Sequence, residues 1–211
     1  TKELIFSALL PPLIFEAALF LNWSELRREL PLVIPMATLG LVLAALVTAF
    51  GMHWFAGWPL ISAGVFGVLI AATDPVSVIA TFKDAGVGGR LRMLVEAESL
   101  FNDGTAAVLF ALMIALSQGH EPSLAGMLAN VVLMVGGGVA CGAFVTLVVL
   151  YLAGKTTDHL IEITLTTVIA FGSFLLAEHF HCSGVLATLT AGLIVGNRGH
   201  LGSISEKGRE S

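Results

Sequence analysis

Residues 96–105 read EAESLFNDGT and place Glu96, Glu98, Ser99, Asn102 and Asp103 inside a run otherwise built of Leu, Val, Ala, Met and Phe. On a helix, Ser99 and Asp103 are i,i+4 neighbours, as are Glu98 and Asn102, while Glu96 and Asp103 lie two turns apart. Asp103 and Ser99 offer hard oxygen ligands suited to an alkali cation. Asn102 can orient a carboxylate or cap a broken helix nearby. The plainer readings also stand: Asp103 as a pore-lining or helix-terminal acid without turnover, and Ser99 and Asn102 as hydrogen-bond glue between membrane helices.

A second stretch, AATDPVS at residues 71–77, points the same way. Pro75 removes a backbone donor, frees the carbonyl of Ala71 and disfavours helix at Asp74. Thr73, Asp74 and Ser77 surround that break with polar groups. A helix broken at the bilayer midplane exposes carbonyls and dipole ends, which is how many transporters build ion sites; a simple proline kink is the bland alternative. Glu16, in PPLIFEA, reads either as an acid behind the same cavity or as an interfacial residue, and Glu96 as an access-path acid or a solvated one.

The elements that must hold these groups follow from composition. The 211 residues are 56% hydrophobic and 12% charged, with a mean hydropathy of +0.93; a soluble domain carries about twice that charged fraction. Continuous apolar runs of about 20 residues cross a hydrocarbon core, and they lack the alternation of a transmembrane barrel. Seven spans are expected, at 4–21, 31–52, 60–82, 91–116, 124–152, 160–178 and 183–196, with the third broken at Thr73-Asp74-Pro75. Arg27, Arg28, Lys83, Arg90, Arg92, Lys155, Arg198, Lys207 and Arg209 fall on one side of this arrangement, and only Lys2 on the other. The positive-inside rule makes the loops 22–30, 83–92 and 153–159 and the tail 197–211 cytoplasmic. That alternation supports an odd number of spans.

No Lys or Arg lies well inside a span, whereas Glu16, Asp74, Glu96, Glu98 and Asp103 do. A charged carboxylate at that depth costs several kcal/mol and needs a partner. Without a basic one in view, the partner is a proton, a mobile cation, or an Arg or Lys beyond these residues. Cys141 and Cys182 read as small apolar residues rather than a disulfide or metal pair. Gly136-Gly137-Gly138 reads as a close-packing patch.

Four motifs, LPPLIFEAAL (10–19), AATDPVSVIATFK (71–83), EAESLFNDGTAAVLF (96–110) and CSGVLATLTAGLIVGNRG (182–199), together resemble the monovalent cation:proton antiporters, in their bacterial NhaP and animal NHE branches. The resemblance implies an all-α polytopic fold of two inverted repeats whose broken helices cross at the site. Asp103 would bind the proton and the cation alternately. Asn102 before it is similar to the family's Asn-Asp pair, associated with electroneutral exchange. Ser99 and the Thr73 main-chain carbonyl would complete the cation shell, Asp74 would support it at the break, and Glu16 would contribute through water. Glu98 would be a structural acid pairing with an Arg on a later helix.

The expectation is therefore a transporter and not an enzyme, without a cofactor and without nucleic acid. It would move Na+ (or Li+ or K+) against H+ across the cell (inner) membrane, and would be a homodimer when full length. Residues 1–198 would form part of the exchanger domain, and 199–211 a truncated cytoplasmic loop. With only one broken helix and no buried Arg, the chain reads as an internal fragment. A passive cation channel and an intramembrane aspartyl protease using Asp74 and Asp103 are the competing classes. The protease leaves Ser99, Asn102 and Glu98 without a role.

Overall fold

Apolar runs become helices throughout the computed structural model, which describes residues 2–86, 88–118, 124–153 and 159–198. The expected connections at 119–123 and 154–158 and the tail 199–211 lie outside the described residues. In chain order the helices are α1 (Lys2–Leu19), α2 (Trp23–Pro35), α3 (Leu41–Ala56), α4 (Leu60–Ala71), α5 (Val76–Asp84), α6 (Arg90–Ser117), α7 (Leu124–Ala153), α8 (His159–His179) and α9 (Gly184–Arg198). Segments Trp23–Ala56, Arg90–Ser117 and Ala125–Ala153 are each long and apolar enough to cross a membrane. Ala8–Leu19, Leu60–Ala71, Ile163–His179 and Gly184–Asn197 are shorter apolar helices. Large apolar side chains stand on the outside, among them Phe55 at 92% exposure and Val47 at 74%. In water such a surface would aggregate; in a bilayer it faces lipid.

Two differences from the sequence reading have physical causes. Residues 23–30 form the first turns of α2 rather than a loop. WSELRREL is polar but has good helix formers, so it extends the helix past the apolar stretch. Between α2 and α3 the chain makes a π-helical turn at Met36–Gly40, directly after Pro35. Pro35 cannot donate to the carbonyl four residues back, and a wider turn takes up the irregularity without ending the helix. The third span breaks where Pro75 requires it. Ala72 is extended (φ −66°, ψ 131°), and helix resumes with the Ile79 N–H on the Pro75 carbonyl at 2.8 Å.

Helix α3 stops at Gly57, whose left-handed backbone (φ 68°) lets its own N–H and that of Trp58 return to the carbonyls of His53 and Met52. This is the glycine-terminated helix end that a β-carbon would strain.

The chain divides into two compact units, Thr1–Trp23 with Val132–Ser211, and Ser24–Val131. In the first, α1 packs on α8 and α9 around Phe15, Ile169, Ala170, Ala191 and Val195. A β-carbon at Gly192 would stand 2.6 Å from the Phe15 carbonyl oxygen, and one at Gly196 would overlap the Leu19 carbonyl, so α9 lies backbone to backbone against α1. The glycine patch of α7 behaves as expected at Gly137, which faces Cys182, and at Gly138, which faces the Ser183 carbonyl. Gly142 is tighter still, against the main chain of Ala187. In the second unit, α3 packs on α4, and α6 receives α4, α5 and the π-helical turn. Leu41, Ala45, Val68 and Ala71 form the core there, covered by Ala106, Leu109, Phe110 and Met113 of α6.

Candidate functional site

Helix α6 meets the break between α4 and α5 through two side chains one turn apart. The Ser99 hydroxyl donates to the main-chain carbonyl of Thr73 at 2.9 Å, and the Asn102 amide donates to the Thr73 hydroxyl at 3.0 Å. Ser99 is 6% exposed and Asn102 2%. Pro75 is the local cause. By ending α4 at Ala71 it leaves Thr73 outside any helix, with its carbonyl and hydroxyl open to donors from α6.

The Asn102 amide also lies 3.5 Å from Glu98 Oε1, at the long limit of a hydrogen bond. Its own Oδ1 is buried and has no hydrogen-bond partner among the described residues. Glu98 and Asp103 are half-buried, whereas Thr73 and Asp74 are exposed in this unit. Asp74 follows Thr73 in the break, and Glu98 and Asp103 lie on α6 next to Ser99 and Asn102 in sequence. Three carboxylates and the oxygens of Ser99, Asn102 and Thr73 are thus gathered at one helix break. From Arg28 to Lys83, and again from Arg92 to Lys155, the sequence contains no Lys or Arg.

Of the residues singled out from the sequence, Thr73, Asp74, Glu98, Ser99, Asn102 and Asp103 belong to one unit and converge. Glu16 is exposed on α1, in the other unit. The helical spacing separated Ser99 with Asp103 from Glu98 with Asn102. The fold instead uses Ser99 and Asn102 together as the face docked on Thr73, and Asn102 touches Glu98 only weakly. Glu96 is half-buried and paired with Arg92, whose Nε donates to it at 2.7 Å from one turn away.

Sequence reasoning missed a fork-shaped ion pair. Arg90, at the start of α6, donates from Nε and Nη2 to both oxygens of Glu29 on the polar overhang of α2, at 2.6 and 2.8 Å. Arg90 is 69% exposed and Glu29 17%. The hydrogen bonds from Arg90 hold the Glu29 carboxyl below the usual carboxylate range, outweighing a desolvation that pushes the other way, and the Arg90 charge adds to them. The two residues are 61 positions apart, and nothing in their local sequence links them.

A family profile described as "Sodium/hydrogen exchanger, transmembrane" matches residues 1–210. Among curated proteins, the Na(+)/H(+) antiporter ApNhaP of Aphanothece halophytica is 42% identical over 200 residues, covering 94% of this chain and 38% of that protein. The Na(+)/H(+) antiporter NhaP of Pseudomonas aeruginosa is 33% identical over 215 residues, covering 99% of this chain and 50% of that protein. The chain therefore spans between about two fifths and half the length of these relatives. Among solved structures, the electron-microscopy structure of the sodium proton antiporter MjNhaP1 from Methanocaldococcus jannaschii superposes with a TM-score of 0.69 over 93% of this chain and 50% of that one, at 22% identity. That likeness is one of fold.

Proposed function

Because this chain belongs to the sodium/hydrogen exchanger family, we propose that it forms part of a secondary transporter that exchanges a monovalent cation, Na+ foremost, for H+ by alternating access. It is an integral multi-pass membrane protein, and on this reading its basic segments 22–30, 83–92, 153–159 and 197–211 face the cytoplasm. Asp103 meets the cation as a carboxylate on one side of the membrane and returns protonated from the other. Competition of two cations for one carboxylate couples the fluxes without a separate gate. Asn102, neutral where a second acid would add charge, fits one-for-one exchange.

The observation that supports this reading is the docking of α6 on the helix break. With the Ser99 hydroxyl bonded to the Thr73 carbonyl, two hard oxygens lie 2.9 Å apart, near enough to face one cation. Each retains a lone pair after their mutual bond. Asp103, one turn from Ser99 on the same helix, supplies the charge. Glu98, approached by the Asn102 amide only at 3.5 Å, keeps the neighbouring face polar and on this reading pairs with an Arg of a later helix.

The test uses the complete protein reconstituted in vesicles, with internal pH followed after a Na+ pulse. Ser99→Ala removes one of the two converging oxygens and is expected to raise the half-saturating Na+ concentration about tenfold, the worth of one hydrogen-bonding oxygen at about 1.4 kcal/mol. An unchanged half-saturation would remove Ser99 from the cation shell.

A further inference from the structure

The buried face of α2 runs through Leu26 and Val33 to Ala37 in the π-helical turn that continues it. Glu29 lies on that face, three residues after Leu26 and four before Val33. It is largely covered, whereas Arg27 and Arg28 beside it are exposed. On α6 the buried residues Met93, Ala97, Leu100, Gly104 and Val108 recur three or four positions apart and form one stripe. Arg90, three residues before Met93, begins that stripe. The π-helical turn packs on α6. The Glu29–Arg90 fork therefore joins the inward faces of two elements rather than two outer surfaces.

Its geometry suits a strut. Exposed ion pairs usually contribute little, and a bidentate Arg–carboxylate pair is the exception. Two parallel bonds, at 2.6 and 2.8 Å, fix direction as well as distance. The chain that enters α6 gives no other hold, because β-carbons at Gly86, Gly88 and Gly89 would meet nothing within 4 Å. Helix α6 then runs unbroken from Arg90 to Ser117, so a displacement of its start is carried to Ser99 and Asn102, about 14 and 18 Å further on. Tolerance there is narrow. Ser99 meets the Thr73 carbonyl at 2.9 Å and Asn102 the Thr73 hydroxyl at 3.0 Å, and a slide of about 1 Å takes both beyond hydrogen-bonding reach. The Arg92–Glu96 pair lies within α6 and cannot do this. Glu29, Thr73, Arg90, Ser99 and Asn102 all belong to the same compact unit.

We propose that Glu29 and Arg90 are positioning residues for the ion site: their fork sets the axial position of α6, and with it the meeting of Ser99 and Asn102 with Thr73. This rests on the cation-exchange reading of that site. Neither side chain touches the cation or the transported proton. Without the fork, α6 slides at its unsupported start and the Ser99 and Thr73 oxygens separate. Cation affinity then falls while the maximal rate is kept.

The experiment compares the complete wild-type protein with Glu29→Gln in vesicles, measuring Na+-driven pH change together with backbone deuterium uptake. Gln keeps the shape and offers Arg90 one neutral oxygen in place of two charged ones. The expected result is a half-saturating Na+ concentration about threefold higher, with the maximal rate within about twofold. Deuterium uptake should accelerate over residues 72–77 and stay unchanged over 41–56. Arg90→Gln should give the same shift, and the two changes together no more than either alone. A wild-type half-saturation in Glu29→Gln would overturn the proposal, as would shifts that add in the double variant or faster uptake confined to 24–35 and 88–93. If Glu29→Gln does not fold, Arg90→Lys, which keeps the charge and loses the fork, is held to the same outcomes. A wild-type protein that shows no Na+-driven signal at all would defeat the exchange reading instead. Uptake at 72–77 would then judge the strut alone: acceleration supports it and unchanged uptake overturns it.

Discussion

Replacing Thr73 with Val tests the docking of α6 on the helix break with a nearly isosteric change. Val keeps the β-branched shape and the main-chain carbonyl that Ser99 uses, and it deletes only the hydroxyl that accepts from Asn102 at 3.0 Å. What remains for that amide is the 3.5 Å approach to Glu98, while Oδ1 already lacks a partner among the described residues. A buried amide left unsatisfied in an apolar setting costs about 1–3 kcal/mol. Hydrogen bonds between membrane helices, measured by double-mutant cycles, are worth less, about 0.6 kcal/mol on average and about 1.7 at most, because the unfolded chain in lipid also finds partners. The second range governs here. Thr73→Val is thus expected to destabilise by roughly 0.6–1.7 kcal/mol, and Thr73→Ser, which restores the hydroxyl, by less. The assay is thermal unfolding of the detergent-solubilised protein within a cycle that adds Asn102→Leu. In that background Thr73→Val should cost nothing further. Costs that simply add across the cycle would show that the two side chains do not interact, and the account of how α6 meets the break would fall.

Two further outcomes follow from packing and charge. Gly142→Ala places a β-carbon on the main chain of Ala187, which cannot yield as a flexible side chain would. It should lower stability by about 1–3 kcal/mol, whereas Gly136→Ala, which meets open space, should be near neutral in the same unfolding measurement. The Glu29–Arg90 pair should stabilise at neutral pH and fail in acid. Because the folded-state carboxyl of Glu29 is held below its usual range, its contribution is complete above the unfolded value and is lost as pH falls through the folded one. Wild type and Arg90→Gln should therefore differ in melting temperature at pH 7 and converge once Glu29 is protonated. A difference that persists unchanged in strong acid would assign the effect of Arg90 to something other than this carboxylate.

The features legible in the sequence are those set by local chemistry. Apolar runs announce helices because a backbone in lipid must satisfy its own hydrogen bonds. Pro75 announces the break because its ring and missing donor act within one turn. Ser99 and Asn102 announce an interhelical contact because buried polar groups need partners. The polar overhang at 23–30 reads as a loop but folds as helix, because hydropathy separates lipid from water, not helix from loop. The π-helical turn has no signature beyond Pro35. Long-range pairs were invisible for a different reason. The bonds of Asn102 to Thr73, Arg90 to Glu29 and Asn197 to Leu21 and Trp23 join residues 29, 61, 176 and 174 positions apart. Such partners are chosen by helix packing, which one sequence does not encode in any local pattern. Gly142 illustrates the same limit: the three consecutive glycines drew attention, yet the closest approach falls one turn later.

The central claim is that one carboxylate, Asp103, alternates between proton and cation. The most direct measurement is Na+-driven pH change in vesicles containing the complete protein with Asp103→Asn, beside wild type at matched protein density. An amide of nearly the same shape retains the packing and cannot take up a proton or carry the negative charge. The account predicts that wild type moves protons against Na+ and that Asp103→Asn moves none. Sustained Na+-coupled proton movement by Asp103→Asn would contradict it.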